Sequence, residues 1–324
     1  MHFRELVERF GSASQAWDDT AESPEKRSAS EGAERAIENA ARTGARVVAF
    51  GDADYPERLC ALGAPPPVLF SLGALELLRA PCVAIVGTRR ATSYGERVTT
   101  ELAGALARAG VTVVSGMARG IDGAAHRAAL SAGGGTAAVL GTGVDVAYPA
   151  SHRALHAEIA ARGLVLSEEM PGDHASGGSF PKRNRIIAAL AITTIVVEAP
   201  HRSGALITAS WASELNCEVG AVPGPIDVPQ SAGTNALLRD GAIMITDVAD
   251  ALTLVGVAAP RAARHEPTDA TQLAVWHALE SPAPDLDTLA ARASLPARGC
   301  LAAVTALELD GMLECALTGE IRRR

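Results

Sequence analysis

Several short segments of the chain combine glycine with basic or hydroxyl side chains in a way that suits anion chemistry. They are Gly87-Thr88-Arg89-Arg90, the run Ser115-Gly116-Met117-Ala118-Arg119-Gly120-Ile121-Asp122-Gly123, and Gly141-Thr142-Gly143-Val144-Asp145. A fourth is a long polar loop over 170–179 that runs into Phe180-Pro181-Lys182-Arg183-Asn184-Arg185, and a fifth spans 198–204 with Arg202, Ser203 and Gly204. Glycine lets a backbone come close to a ligand, a helix N-terminus offers unpaired N–H groups, and arginine or lysine adds charge-assisted bonds. Taken singly, each segment is an ordinary turn; taken together they describe a phosphate-binding edge. Lys182, Arg183 and Arg185 fall in one helical turn after Pro181, a good first helical residue, and cations there oppose the helix dipole. That local cost is explained if an anion is brought to them.

Other chemistries find less support. The sequence has no G-x-x-x-x-G-K-[ST] loop and no G-x-G-x-x-G opening a helix, so neither nucleotide hydrolysis of the Walker type nor dinucleotide binding is indicated. No serine or cysteine stands at a recognisable spacing from a base. His152 and His156 are four residues apart without the adjacent glutamate of a metalloprotease, which reads as a surface helix. Glu168, Glu198, Asp122 and Asp145 sit near strand ends, where they are expected to hold neighbouring arginines rather than to do acid–base work. No cofactor or metal is called for.

The elements that must carry these turns follow from the apolar pattern. Runs at 83–87, 111–116, 136–141, 164–168, 193–199 and 218–224 have the length and β-branched content of buried parallel strands. Helix-sized segments lie between them: 93–109, opening with the capping box Ser93-x-x-Glu96, then 151–161 and 203–215, each beginning at a capping residue. The expected fold is α/β, an extended Rossmann-like, doubly wound, mostly parallel sheet, whose ligands bind outside the carboxyl ends of the strands. Residues 1–45 read as a short helical segment, with Phe3, Leu6, Val7 and Phe10 as a small apolar face. VVAF and VLFSL, flanking the Pro65 to Pro67 run, read as a connector laid against the sheet. The domain expectation is therefore 1–45 helical, 46–257 ligand-binding, 258–269 linker, and 270–324 a small domain whose last residues pair as a ribbon.

Charge and composition bound the function. The 324 residues carry 29 Lys plus Arg against 37 Asp plus Glu, a net charge of -8, with 3% aromatic residues. A polyanion site on such an acidic body must be a local concentration of basic groups. The five cysteines, widely spaced and without a Cys-x-x-Cys, read as buried thiols. With no secretory leader pattern and no apolar stretch approaching the roughly 18 residues needed to cross a bilayer, the expected location is the cytoplasm, with no membrane partner.

These same residues carry a resemblance. Val86-Gly87-Thr88-Arg89, Ser115-Gly116-Met117-Ala118-Arg119-Gly120-Ile121-Asp122, Phe180-Pro181-Lys182-Arg183-Asn184-Arg185-Ile186-Ile187, Glu198-Ala199 followed by Ser203-Gly204-Ala205-Leu206-Ile207-Thr208-Ala209, and Val222-Pro223-Gly224 with Gly233-Thr234-Asn235 resemble the motifs of the DprA/Smf family of bacterial DNA-processing proteins, in order over 82–245. The resemblance implies a Rossmann-like domain that binds single-stranded DNA, forms a homodimer and helps load the RecA recombinase during natural transformation. It also implies that Gly87, Thr88, Arg89, Ser115, Gly116, Arg119, Gly120, Phe180, Lys182, Arg183, Asn184, Arg185, Ser203, Gly204 and Thr208 form the DNA-binding surface, with Phe180 and Asn184 facing bases. If Arg89, Arg119, Lys182, Arg183 and Arg185 each neutralise one phosphate, affinity falls with salt at a log–log slope of about -3.5, from about -0.7 per contact.

The beginning of the chain resembles only the last part of the helix-hairpin-helix or SAM-like segment that opens many family members. The tail resembles their winged-helix domain, with helices expected at 271–279, 286–292 and 298–309. In that third helix Arg298 stands with Glu308, next to Asp310, which favours packing or protein contact over groove reading. The competing reading is an enzyme of the lysine-decarboxylase-like nucleoside monophosphate phosphoribohydrolase type. Its hallmark Pro-Gly-Gly-x-Gly-Thr turn is replaced here by Glu198-Ala199-Pro200-His201-Arg202-Ser203-Gly204.

Overall fold

The computed structural model describes residues 13–19, 23–257, 267–279, 281–309, 312–316 and 319–323. The apolar face of Phe3, Leu6, Val7 and Phe10 lies outside them. The chain divides into two compact units, Met1–Ala259 and Pro260–Arg324.

The first unit opens with α1 (Ala13–Asp18) and α2 (Pro24–Thr43), the latter capped by Ser23, whose hydroxyl accepts from the Lys26 N–H at 3.1 Å. A nine-stranded sheet follows. Its strands are β1 (Arg46–Ala49), β2 (Val68–Gly73), β3 (Cys82–Val86), β4 (Thr112–Ser115), β5 (Thr136–Leu140), β6 (Leu164–Ser167), β7 (Thr193–Val196), β8 (Glu218–Ala221) and β9 (Ile243–Met244), in the order β1-β2-β6-β5-β4-β3-β7-β8-β9. From β6 to β9 every pairing is parallel, while β1 and β2 add an antiparallel edge onto β6.

All six strands expected from apolar runs are present. The segments around Pro65 to Pro67 do more than lean on the sheet: Phe70 registers with Ser167, so the expected connector is a two-stranded extension of it. Strand β9 was not foreseen, because two exposed residues leave no apolar run to see.

Helices cover both faces. Between the strands lie α3 (Ser93–Arg108), α4 (Ile121–Ser131), α5 (Arg153–Arg162), α6 (Ser179–Leu190) and α7 (Gly204–Glu214), and α8 (Ala232–Arg239) and α9 (Val248–Leu254) follow β8 and β9. Side chains alternate across the sheet: Ala84 and Val86 of β3 pack with Ile186 and Ile187 of α6, while Val83 and Ile85 pack with Leu102 and Leu106 of α3 on the other face. That two-residue period with both faces apolar is why each strand reads as an unbroken apolar run.

Three local expectations change. Helix α3 is capped by Thr92, not Ser93; the Thr92 hydroxyl accepts from the Gly95 N–H at 3.1 Å. Helix α5 starts at Arg153 after a short 3-10 turn and has no side-chain cap, so Ser151 does not serve as one. Helix α6 begins at Ser179, two residues before Pro181, which still lies in the first turn where a missing N–H costs nothing.

The described residues of the second unit form α10 (Ala270–Ala278), α11 (Leu286–Arg292), α12 (Ala297–Leu309) and an antiparallel ribbon of β10 (Leu313–Cys315) and β11 (Ile321–Arg323). Its own core joins Trp276, Leu289, Val304, Leu307, Leu313 and Ile321. This is the three-helix and ribbon order expected of a winged helix. Of the cysteines, Cys82 and Cys300 are buried but Cys60 and Cys315 are exposed, so the expectation of buried thiols holds only in part. Among the described residues no helix is long and apolar enough to cross a membrane.

Candidate nucleic-acid interface

The chain leaves β3 toward β4 on one side and later returns to β7 on the other, which makes the carboxyl ends of β3 and β7 the topological switch point, where open α/β sheets hold their ligands. A cleft of about 400 Å³ lies there, lined from the predicted set by Gly87, Arg89, Phe180, Arg183, Asn184, Ser203, Gly204 and Thr208. A second recess, about 30 Å³, shares Phe180, Arg89 and Arg183 with it and is lined also by Gly116, Arg119 and Tyr148 among others. Thr88, Ser115, Gly120, Lys182 and Arg185 line neither.

The turns at the floor of the cleft are held by their own polar groups. Gly120 takes φ +73°, and a side chain there would meet the Arg89 backbone carbon at 3.0 Å, so only glycine lets the second turn pack on the first. Met117 adopts φ 55° beside it while fully buried, a conformation that the packing around it must enforce. The Ser115 hydroxyl donates to the Ile85 carbonyl at 2.6 Å, and the Thr88 N–H donates to the Glu198 carbonyl at 2.7 Å. The Asp122 carboxylate, buried at the start of α4, accepts from the N–H groups of Gly116 at 3.1 Å and Ala118 at 3.4 Å. Donors that the sequence offers to a phosphate are thus used on Asp122; Thr88, Ser115, Gly116 and Gly120 shape the site and do not reach into the cleft.

The basic block on α6 divides in the same way. Arg183 is only 6% exposed; it donates to the carbonyls of Gly116, at 2.9 Å, and Val139, and its Nε reaches Asn184 Oδ1 at 3.2 Å. Burial lowers its pKa to about 10 against the opposing pull of Asp122. Burial likewise raises the Asp122 carboxyl, while Arg183 and the surrounding N–H groups draw it back. Asn184 donates to the Gly204 carbonyl at 3.1 Å, so both ends of its amide are engaged within the fold while the residue still lines the cleft. Arg185 is held by both oxygens of Glu168 at 2.8 and 2.7 Å, and the Lys182 ammonium lies 3.3 Å from Glu168 and 4.0 Å from Glu169. Glu168 and Glu169 thus supply carboxylates to Lys182 and Arg185, while Nη1 of Arg185 is buried without a hydrogen-bond partner among the described residues.

Glu168 therefore holds an arginine as expected and Asp122 acts on Arg183 through its charge, but Glu198 and Asp145 have different work. Glu198 accepts from the Thr92 N–H at 2.9 Å and from its hydroxyl at 2.5 Å, filling the place of a capping-box acid from 106 residues away. Asp145 accepts from the Gly172 N–H at 2.7 Å. Nor do His152 and His156 form a free surface pair: the first donates to the Met117 carbonyl at 3.0 Å and the second, buried, to the Val144 carbonyl at 2.7 Å.

Few of the predicted site residues remain open to a ligand. Arg89 is exposed, in no ion pair among the described residues, and its guanidinium lies 5.2 Å above the Phe180 ring. Arg119 is likewise exposed and unpaired at the smaller recess. Thr208 is 1% exposed, yet its hydroxyl makes no hydrogen bond among the described residues, whereas Ser210 and Ser213 of the same helix bond back to the carbonyls of Leu206 and Ala209. This geometry can seat an anion at the arginines and a flat ring against Phe180. Tyr148, whose ring lies 5.0 Å from that of Phe180, was missed from sequence because it follows the glycine-rich loop after β5 by several residues.

A family model described as DNA recombination-mediator protein A matches residues 46–256, and one described as the DprA winged helix domain matches 259–316. The chain is 46% identical over 209 residues to Protein Smf of Synechocystis, covering 63% of this chain and 52% of that protein, so it spans about half the length of that relative. It is similar to the solved structure of DNA processing protein A from Streptococcus pneumoniae, with TM-score 0.62, 42% identity, and coverage of 64% of this chain and 73% of that one. It is also similar to DNA processing protein A from Helicobacter pylori, a structure described for its single-stranded DNA binding mode, with TM-score 0.59, 33% identity, and coverage of 65% and 96%.

Proposed function

Because this chain belongs to the DNA recombination-mediator protein A family of DNA-processing proteins, we propose that its cleft binds single-stranded DNA without strong sequence preference and that the protein, as a homodimer in the cytoplasm, helps load the RecA recombinase during DNA uptake. In this reading residues 46–257 are the DNA-binding body, and 1–45 and 270–324 are smaller modules joined to it.

The observation that carries the proposal is Arg89. Its unpaired guanidinium stands over Phe180 at the mouth of the switch-point cleft, a charge for a phosphate beside a ring for a base. Phosphate contacts position a strand without reading its sequence, which fits a site whose exposed polar groups are mainly arginines. The Helicobacter relative's single-stranded DNA binding supports the ligand class, and the family's description as recombination mediators supports the handover to a recombinase.

The test is a fluorescence titration of single-stranded against duplex DNA, at two salt concentrations, for the wild type and an Arg89→Ala/Lys182→Ala variant. Tighter binding of the single strand, weakened in the variant, is the expected result; equal affinity for both forms, or no loss in the variant, overturns the assignment. Incubation with nucleoside monophosphates is the companion test, since release of free base would favour the phosphoribohydrolase reading.

A further inference from the structure

We infer that Tyr148 is a second stacking residue of the interface, which with Phe180 and Arg89 grips the nucleobase next to the one seated in the cleft. This rests on the reading of the cleft as a single-stranded DNA site.

The tyrosine is set apart by what it lacks. The chain has three tyrosines, and the other two use their hydroxyls internally: Tyr55 donates to the Pro66 carbonyl at 2.8 Å and Tyr94 to the Pro223 carbonyl at 3.0 Å. The Tyr148 hydroxyl has no partner among the described residues, and the residue is 43% exposed. An aromatic ring left half in water beside exposed arginines is a surface with nothing of its own to cover.

Its neighbours say what would cover it. The Tyr148 ring lies 5.0 Å from Phe180 at a 35° tilt, and the Arg89 guanidinium lies 5.2 Å from the same Phe180 ring. Phe180, Arg89 and Arg183 line both a cleft of about 400 Å³ and a recess of about 30 Å³ bounded by Arg119 and Tyr148, so the two hollows adjoin at these side chains. The larger hollow has room for a base; the smaller has not. A strand that places one base in the cleft must leave the adjacent base outside the recess, where the exposed tyrosine offers its face and Arg119 and Arg89 offer charge to the intervening phosphate. Stacking of this kind tolerates any base, because every base has a π-face, and it excludes duplex DNA, whose bases already stack on one another.

The test uses the full chain with Tyr148→Ala and Tyr148→Phe, titrated by anisotropy against a labelled oligothymidylate and against the same oligomer with a central abasic run, at two salt concentrations. Tyr148→Ala is expected to weaken oligothymidylate binding by about 5- to 150-fold, the range of stacking losses on alanine substitution, with the log–log salt slope unchanged. Tyr148→Phe restores the affinity, and on the abasic oligomer the wild type and Tyr148→Ala bind alike. Should the alanine variant fold poorly, Tyr148→Leu keeps apolar bulk beside Phe180, removes the ring and carries the same expectation. An equal loss on abasic DNA, a changed slope, or no loss on oligothymidylate overturns the inference. If the single-strand preference and the Arg89→Ala loss both hold while Tyr148→Ala binds as wild type, only this inference falls; if those two fail as well, the reading of the cleft falls with it.

Discussion

Two basic regions of the same sheet edge have opposite fates. On α6, Lys182, Arg183 and Arg185 are met by Glu168, Glu169, two backbone carbonyls and the field of Asp122, and two of the three are buried. At the turns after β3 and β4, Arg89 and Arg119 are exposed and in no ion pair among the described residues. Charge density along the sequence is highest in the first region, but charge available to a ligand is greatest in the second. A cation needs a partner wherever it is buried, and the partner it finds in the fold is one it no longer needs from DNA.

The sharpest way to break this contrast is to remove Arg183. Arg183→Met should destabilise the protein by about 3–5 kcal/mol, since it strands the buried Asp122 carboxylate and two carbonyls, as read by the denaturant midpoint. A loss under about 1 kcal/mol would mean that Arg183 is no part of the scaffold. Acid should also find the scaffold side first. His126 is fully buried, and burial, with His152, Arg183 and Arg127 nearby, lowers its pKa from 6.5 to about 3. The folded protein resists a proton that the unfolded chain accepts, so stability is complete above pH 6.5 and falls as the pH drops toward about 3. Replacing His126 with Gln should flatten that part of the stability profile; an unchanged profile would assign the acid sensitivity elsewhere.

On the ligand side the effects are smaller and appear in binding. Arg89→Ala should weaken single-stranded DNA binding by about tenfold or more and make the salt slope about 0.7 shallower, while stability stays within about 0.5 kcal/mol. The smallest effect is the most discriminating: Glu169→Gln removes one of the acids facing Lys182, 4.0 Å away, and should strengthen binding by about twofold, as expected for one exposed, screened charge. Weaker binding in that variant would mean that Lys182 needs Glu169 in order to be placed.

The fold was legible where burial is two-sided. Strands β3 to β8 show as apolar runs because side chains on both faces enter a core, Val83 and Ile85 on one side, Ala84 and Val86 on the other. At the sheet edges that signal disappears: Ile243 and Met244 of β9 are exposed, and β1 begins with two exposed residues. The site was legible as a list of residues and illegible as a division of labour. Pairing of Arg185 with Glu168, 17 residues apart, and of Thr92 with Glu198, 106 apart, is set by topology, and it is pairing that decides which groups face solvent. Asn184 reads as a base contact from its place between two arginines, yet its amide is used to tie Arg183 to the Gly204 carbonyl at the start of α7.

The salt dependence of single-stranded DNA binding by the unmodified protein tests this division most directly. Five available cations would give a log–log slope of about -3.5. With Arg183 and Arg185 committed to the fold, Arg89, Arg119 and the partly engaged Lys182 remain, and the slope predicted is about -2. A slope of about -3.5 or steeper would contradict the account, because cations beyond these three would then have to be meeting DNA.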